Sequence, residues 1–176
     1  SESSSDPNRK LQIGIIGRTE ERSLLTVQLW KLFSSHTSDT VVIIGEAGIG
    51  KSRLVEEMLQ DAKALDLTSL TGAGDAVEKS TPYHAWRDVF SQLFKLNSLS
   101  DNPEVRLKHV LSQLAAEPDL LRVAPLLKAV LPFDIPDNEL TAQMTGQVRA
   151  DNTHVFLTRL LQRAASENPL VVIMED

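Results

Sequence analysis

The chain has 176 residues, of which 41% are apolar and 24% charged, the balance of an ordinary globular chain able to bury one sizeable core. Eighteen basic residues against twenty-four acidic ones leave a net charge of −6, which argues against direct nucleic-acid binding across the surface. With no cysteine, disulfides, thiolate metal sites and a cysteine nucleophile are excluded; no apolar run reaches the roughly 18 residues of a membrane span, and a cytoplasmic protein without a membrane partner is expected.

The opening SESSSDPNRK is polar and aperiodic, and residues 1–12 read as a disordered tail or linker. A short extended segment, LQIGIIG, follows. From Thr19, a plausible N-cap, Leu24, Leu25, Gln28, Leu29, Leu32 and Phe33 recur at helical spacing until Ser34 or Ser35, with Glu20 and Glu21 placed favourably against the helix dipole. TVVII (40–44) is a β-branched run of the kind found in covered parallel strands. Beyond a glycine loop, Leu54, Val55, Met58, Leu59, Ala62 and Leu65 make the stripe of a second helix. LTSLTG reads as another strand, running into a mobile stretch, AGDAVEKSTP.

Helical spacing returns from Tyr83 to Leu96, with Trp86, Val89, Phe90, Leu93 and Phe94 on one side. It continues over 103–131, interrupted at Pro118 and restarting after Asp119. Pro132 and Pro136 mark a loop, Thr153 to Ala165 forms a last helix, and ENP breaks it before the strand LVVIM. The four histidines (His36, His84, His109, His154) are scattered, without the clustering of metal ligands. Alternating strands and helices predict an α/β fold with a mainly parallel sheet flanked by helices, occupying residues 13–176.

The loop in VVIIGEAGIGKS carries the chemistry. A phosphate chain must be surrounded by donors at short range, and main-chain N–H groups converge on it only where Cβ atoms do not intervene. Gly45, Gly48 and Gly50 remove that obstruction and open otherwise closed backbone angles. The loop runs into a helix, whose N-terminal partial charge favours an anion. Lys51 adds a cation for the β- and γ-phosphates, and the Ser52 hydroxyl suits Mg2+. The segment fits GxxxxGK[ST] in full, so Gly45, Glu46, Ala47, Gly48, Ile49, Gly50, Lys51, Ser52 and the adjoining Arg53 are the predicted nucleotide-binding residues of a P-loop NTPase.

Metal-dependent chemistry also requires a carboxylate at the end of a neighbouring strand. LVVIMED supplies Glu175 and Asp176 at a strand's carboxyl end, where ligands of open α/β sheets gather. Taken alone this is a buried strand entering a solvated turn; paired with the glycine loop it reads as a Walker B element. Glu175 is assigned to the metal and Asp176 to orienting the attacking water, with the two roles exchangeable, and Lys51 joins them as the third catalytic candidate. Because such sheets continue past this strand, the chain reads as the N-terminal portion of a larger nucleotide-binding domain, doubtful in turnover by itself.

IIGRTEE, GEAGIGKSRLVEEM, TPYHAWRDVF, APLLKAVLP and NPLVVIMED together resemble the AAA-like ATPase domains of the STAND class. These are signal-transducing P-loop NTPases found in large LuxR-type transcriptional regulators and beside the catalytic domains of soluble-type adenylyl cyclases. The resemblance implies that Ile16, Gly17 and Arg18 lie on the adenine side of the nucleotide, although Thr19 departs from the common GRExE pattern. It also implies ATP and Mg2+ as cofactors and a switch between ATP and ADP forms that is reset by slow hydrolysis. The implied partners are further C-terminal domains of the same chain, a cyclase or other output domain, and a second copy on activation. Two alternatives share the loop: a non-hydrolysing ATP-binding regulatory module, and a small-molecule or nucleotide kinase, for which no arginine-rich lid is found. In TPYHAWRDVF, Tyr83 and Trp86 read as core or as a contact to a missing domain rather than as catalytic groups.

Overall fold

The computed structural model describes residues 18–37, 39–74 and 82–175, which divide into two compact units at Leu65/Asp66. The tail expected over residues 1–12 and most of the mobile stretch expected after Ala73 lie outside the described residues.

The first unit is built on two helices, α1 (Thr19–Ser35) and α2 (Lys51–Ala64), which pack against each other. Leu25 and Leu29 of α1 and Leu54, Val55 and Ala62 of α2 are buried. Leu24 and Phe33, expected on the buried stripe of α1, are exposed together with Val27 and Trp30, so α1 carries apolar groups on both sides. The N-cap is Arg18 rather than Thr19, which is already helical. The two helices are also tied electrostatically: Glu57 of α2 meets Arg22 Nε of α1 at 2.8 Å and Arg53 Nε at 3.7 Å.

The strand expected at 40–44 is not formed among the described residues. Val41, Val42 and Ile44 are exposed, and the backbone of 41–44 makes no hydrogen bond there. β-Branched side chains supply the tendency to extend, but a strand exists only through its ladder, and this segment has no ladder partner among the described residues.

The second unit holds the sheet. Among the described residues it has two strands, β1 (Thr68–Ala73) and β2 (Leu170–Glu175), paired in parallel with Thr71 opposite Ile173. Asn168, within ENP, anchors their start: its side-chain amide donates to Thr68 Oγ1 (2.9 Å) and to the Asp66 carbonyl (3.2 Å). On the edge of β1 away from β2, Gln92 takes the place of a strand. Its amide nitrogen donates to the Thr71 carbonyl (2.7 Å), and its amide oxygen accepts from the Thr71 N–H (3.1 Å). Gln92 thus occupies the pairing groups of Thr71, at the middle of that edge.

The helix expected over Tyr83–Leu96 is broken. A 3-10 turn (His84–Trp86) leads into α3 (Arg87–Leu93), and a second turn covers Leu96–Ser98. The break falls at Lys95, whose φ of +54° no α-helix accommodates. α4 (Pro103–Leu114) is capped by the Asn102 side chain, which accepts from the N–H groups of Glu104 and Val105. Pro118 opens α5 (Pro118–Arg122), so the restart comes at the proline and not after Asp119. Proline needs no N–H at a first helical position. A 3-10 stretch (Ala124–Ala129) follows. Next comes a one-turn helix absent from the expectation, α6 (Glu139–Ala142), whose capping box is made by Asn138 and Thr141.

The last helix, α7 (Gly146–Glu167), begins seven residues before the expected Thr153. Its first turns are polar and solvated, so they carry no apolar period. Side chains hold them instead, with Gln147 donating to Asp151 (2.7 Å) and Asn152 to the Val148 carbonyl (2.8 Å). Phe156, Leu157 and Leu160 of α7 enter a core shared with Phe90, Leu114 and Leu127. Tyr83 and Trp86 pack at the margin of this core, and the Tyr83 hydroxyl donates to the Ala150 carbonyl (3.3 Å).

Two predictions follow from this packing. A Cβ on Gly72 would stand 2.2 Å from the Ala85 carbonyl oxygen and 2.9 Å from Val89 Cγ2, and backbone cannot yield as a side-chain tip can. Gly72→Ala is expected to destabilise the fold by about 3 kcal/mol in chemical denaturation. Asp137 accepts hydrogen bonds from Lys128 (2.6 Å), Arg149 (2.8 Å) and Thr141, which together hold its carboxyl well below the usual carboxylate range. Because the folded state keeps this group ionised where the unfolded chain protonates it, the contribution is full at neutral pH and falls as pH drops below 3.8. The melting-temperature advantage of the wild type over Asp137→Asn is expected to be constant above about pH 5 and to shrink below that value.

Candidate functional site

The glycine loop of the first unit joins residues 40–44 to the head of α2. Gly48 (φ +78°) and Gly50 (φ +92°) both adopt left-handed backbone angles, and a Cβ on either would meet nothing within 4 Å. The requirement for glycine at these two positions is therefore conformational, not steric. Gly50 caps α2 at its N-terminus and its carbonyl accepts the first helical bond, from the Leu54 N–H (3.1 Å).

Within the loop, the Ile49 N–H closes a turn onto the Glu46 carbonyl (3.4 Å). The N–H groups of Gly48, Gly50, Lys51 and Ser52 make no hydrogen bond among the described residues. Four donors thus collect at the positive end of a helix of 14 residues, in the region where backbone amides and helix dipole act together on an anion.

Two cations are bound to the outward carbonyls of the loop. Lys51 Nζ donates to the carbonyls of Gly45 (2.7 Å) and Glu46 (3.0 Å), so the lysine spans from the helix back to the start of the loop. An ammonium has three donors, and two are used. Arg18, the residue before α1, donates from Nη2 to the Ile49 carbonyl (2.5 Å). The Ser52 hydroxyl is exposed and makes no side-chain hydrogen bond among the described residues.

The structure therefore brings together Arg18 and the whole of Gly45–Ser52. The Arg53 side chain is turned toward Glu57. Glu175 belongs to the second unit, where it is exposed at the carboxyl end of β2, opposite Ala73, and its carbonyl accepts from the Gly74 N–H (2.7 Å). Ile16, Gly17 and Asp176 lie outside the described residues. Sequence reasoning did not anticipate two features of the first unit. One is the clasp of Arg18 on Ile49, a contact across 31 positions that no local spacing announces. The other is Glu57 between Arg22 and Arg53; the four-residue step from Arg53 to Glu57 was its one visible signal.

The loop, the helix it opens and the parallel strands are the parts of a P-loop α/β protein. A family model described as AAA ATPase domain matches residues 15–176, and the chain belongs to that family of nucleotide-binding P-loop NTPases. Neither the curated proteins nor the solved structures contain a match to it. Among the described residues no helix is long and apolar enough to cross a membrane.

Proposed function

We propose that this chain is the ATP- and Mg2+-binding part of a signal-transduction switch, a STAND-class domain that couples nucleotide binding and slow hydrolysis to an output domain of a larger regulator. The observation that carries the reading is the group of N–H donors on Gly48, Gly50, Lys51 and Ser52 at the head of α2, which have no acceptor among the described residues. A helix start leaves N–H groups without intrahelical partners, and this set, following a glycine-rich loop and lying beside the Lys51 ammonium, is suited to a polyphosphate.

In this reading the backbone from Gly45 to Ser52, including Glu46, Ala47 and Ile49, surrounds the β-phosphate, and the remaining donor of Lys51 points to the β- and γ-oxygens. The exposed Ser52 hydroxyl fits a metal ligand, being an oxygen with no competing partner among the described residues. Bound Mg2+ supplies charge neutralisation on the phosphates. By the family resemblance, Glu175 would hold the metal, Asp176 would orient the attacking water, and Ile16 and Gly17 would lie on the adenine side.

The phosphate assignment is tested by calorimetry. Lys51→Ala is expected to weaken ATP and ADP binding at least 100-fold, about 2.7 kcal/mol, with the circular dichroism spectrum unchanged. Wild-type affinity in that variant would refute it. The catalytic assignment is tested in the full-length protein by phosphate release. Glu175→Gln and Asp176→Asn are each expected to slow release by about 100-fold while ADP affinity stays within a few-fold of wild type. If even the wild type releases no phosphate, the domain is a binding module and the hydrolytic half of the proposal fails.

A further inference from the structure

Arg18 was expected at the adenine; its observed partner is the loop itself, the carbonyl of Ile49. In a trans peptide the C=O and the following N–H point in opposite directions. The Ile49 carbonyl and the Gly50 N–H belong to the same peptide unit, so a cation that fixes the carbonyl on the outside of the loop turns the Gly50 N–H to the opposite side. That N–H has no acceptor among the described residues. The left-handed angle of Gly50 then lets the chain enter α2 without turning the plane back.

Resting on the phosphate-loop reading above, we infer that Arg18 is a positioning residue of the site: it sets the Ile49–Gly50 peptide plane so that the Gly50 N–H is presented to the β-phosphate of a nucleoside di- or triphosphate. Arg18 acts through the loop and need not touch base or phosphate. Its reach starts from a fixed point. The Arg18 carbonyl accepts the Arg22 N–H (3.1 Å), and Arg22 is in turn ion-paired to Glu57 on α2, the helix that the loop opens. The clasp is thus anchored on both sides, by the first turn of α1 and by the body of α2. Lys51 likewise donates to the carbonyls of Gly45 and Glu46, so the two cations hold three carbonyls of the loop.

The assignment makes Arg18 sensitive to phosphate and indifferent to base, and inorganic pyrophosphate separates the two. In the full-length protein, Arg18→Ala is expected to weaken ADP and pyrophosphate by the same factor, about tenfold, the scale of one hydrogen bond from a charged donor. Arg18→Lys, whose ammonium can also donate to a carbonyl, is expected to recover most of this loss. In the nucleotide-free protein labelled with 15N-glycine, the Gly50 amide resonance is expected to move in Arg18→Ala, before any ligand is present. A direct contact to phosphate or base does not produce that shift.

Wild-type pyrophosphate affinity in Arg18→Ala, with or without a loss of ADP affinity, would overturn the inference. So would an unmoved Gly50 resonance. Should the alanine variant fail to fold, Arg18→Lys decides by the same pair of ligands, since a loss confined to ADP points to the base. Failure of the underlying reading looks different: wild type and Lys51→Ala would then bind pyrophosphate equally, whatever Arg18 does.

Discussion

The opposition of C=O and N–H within one peptide plane organises the first unit. A loop that is to meet an anion with its amides must dispose of its carbonyls elsewhere, and here they are taken by Lys51 and Arg18. One cation is local, the first residue of α2; the other reaches the loop from the residue before α1, 31 positions away in the chain. Packing of α1 on α2, through Leu25 and Leu29 and the Arg22–Glu57 pair, also places Arg18 within reach of the loop. The hydrophobic contact and the electrostatic one serve the same end.

The second unit depends on close approach of backbone to backbone. β1 can lie under the 3-10 turn at His84–Trp86 only because Gly72 has no side chain. With that turn in place, α3 carries Gln92 to the outer edge of β1, where its amide stands in for a neighbouring strand. An open strand edge invites pairing with other chains, and Gln92 occupies the groups of Thr71 at the middle of this one. The opposite neighbour of β1 is β2, whose carboxyl end carries Glu175. Sheet registration and the position of a candidate catalytic carboxylate are consequently one matter: shifting β2 by a residue would reverse the faces of Ile173 and Glu175 together.

Much of this was legible in the residues because the signals are local. The apolar stripe of Leu54, Val55 and Ala62 marks α2, LVVIM marks β2, and three glycines before Lys51 mark the loop, each within a dozen positions. What escaped was either non-local or polar. The early turns of α7 are held by Gln147 and Asn152, so hydrophobic period is silent there. The break at Lys95 turns on a single left-handed residue that is not glycine, a conformation that composition does not announce. Val41 to Ile44 shows the converse, since its residue types favour a strand and yet no partner pairs with it among the described residues. Propensity describes one chain segment, whereas a ladder needs two.

The contacts in the loop also bear on how affinity arises. A glycine-rich segment left to itself samples many backbone states, and a ligand that has to order it loses part of its binding free energy in doing so. In the proposed role, Lys51 and Arg18 would lower that cost in advance by holding carbonyls of the loop without occupying the amides. The arrangement is asymmetric in a useful way. Both cations bond to carbonyls, groups that cannot donate to a phosphate, and Lys51 has one ammonium donor beyond these two contacts. On the proposed reading, a loop whose carbonyls are held and whose amides stay vacant would meet the physical condition for recognition of a polyphosphate by main-chain amides.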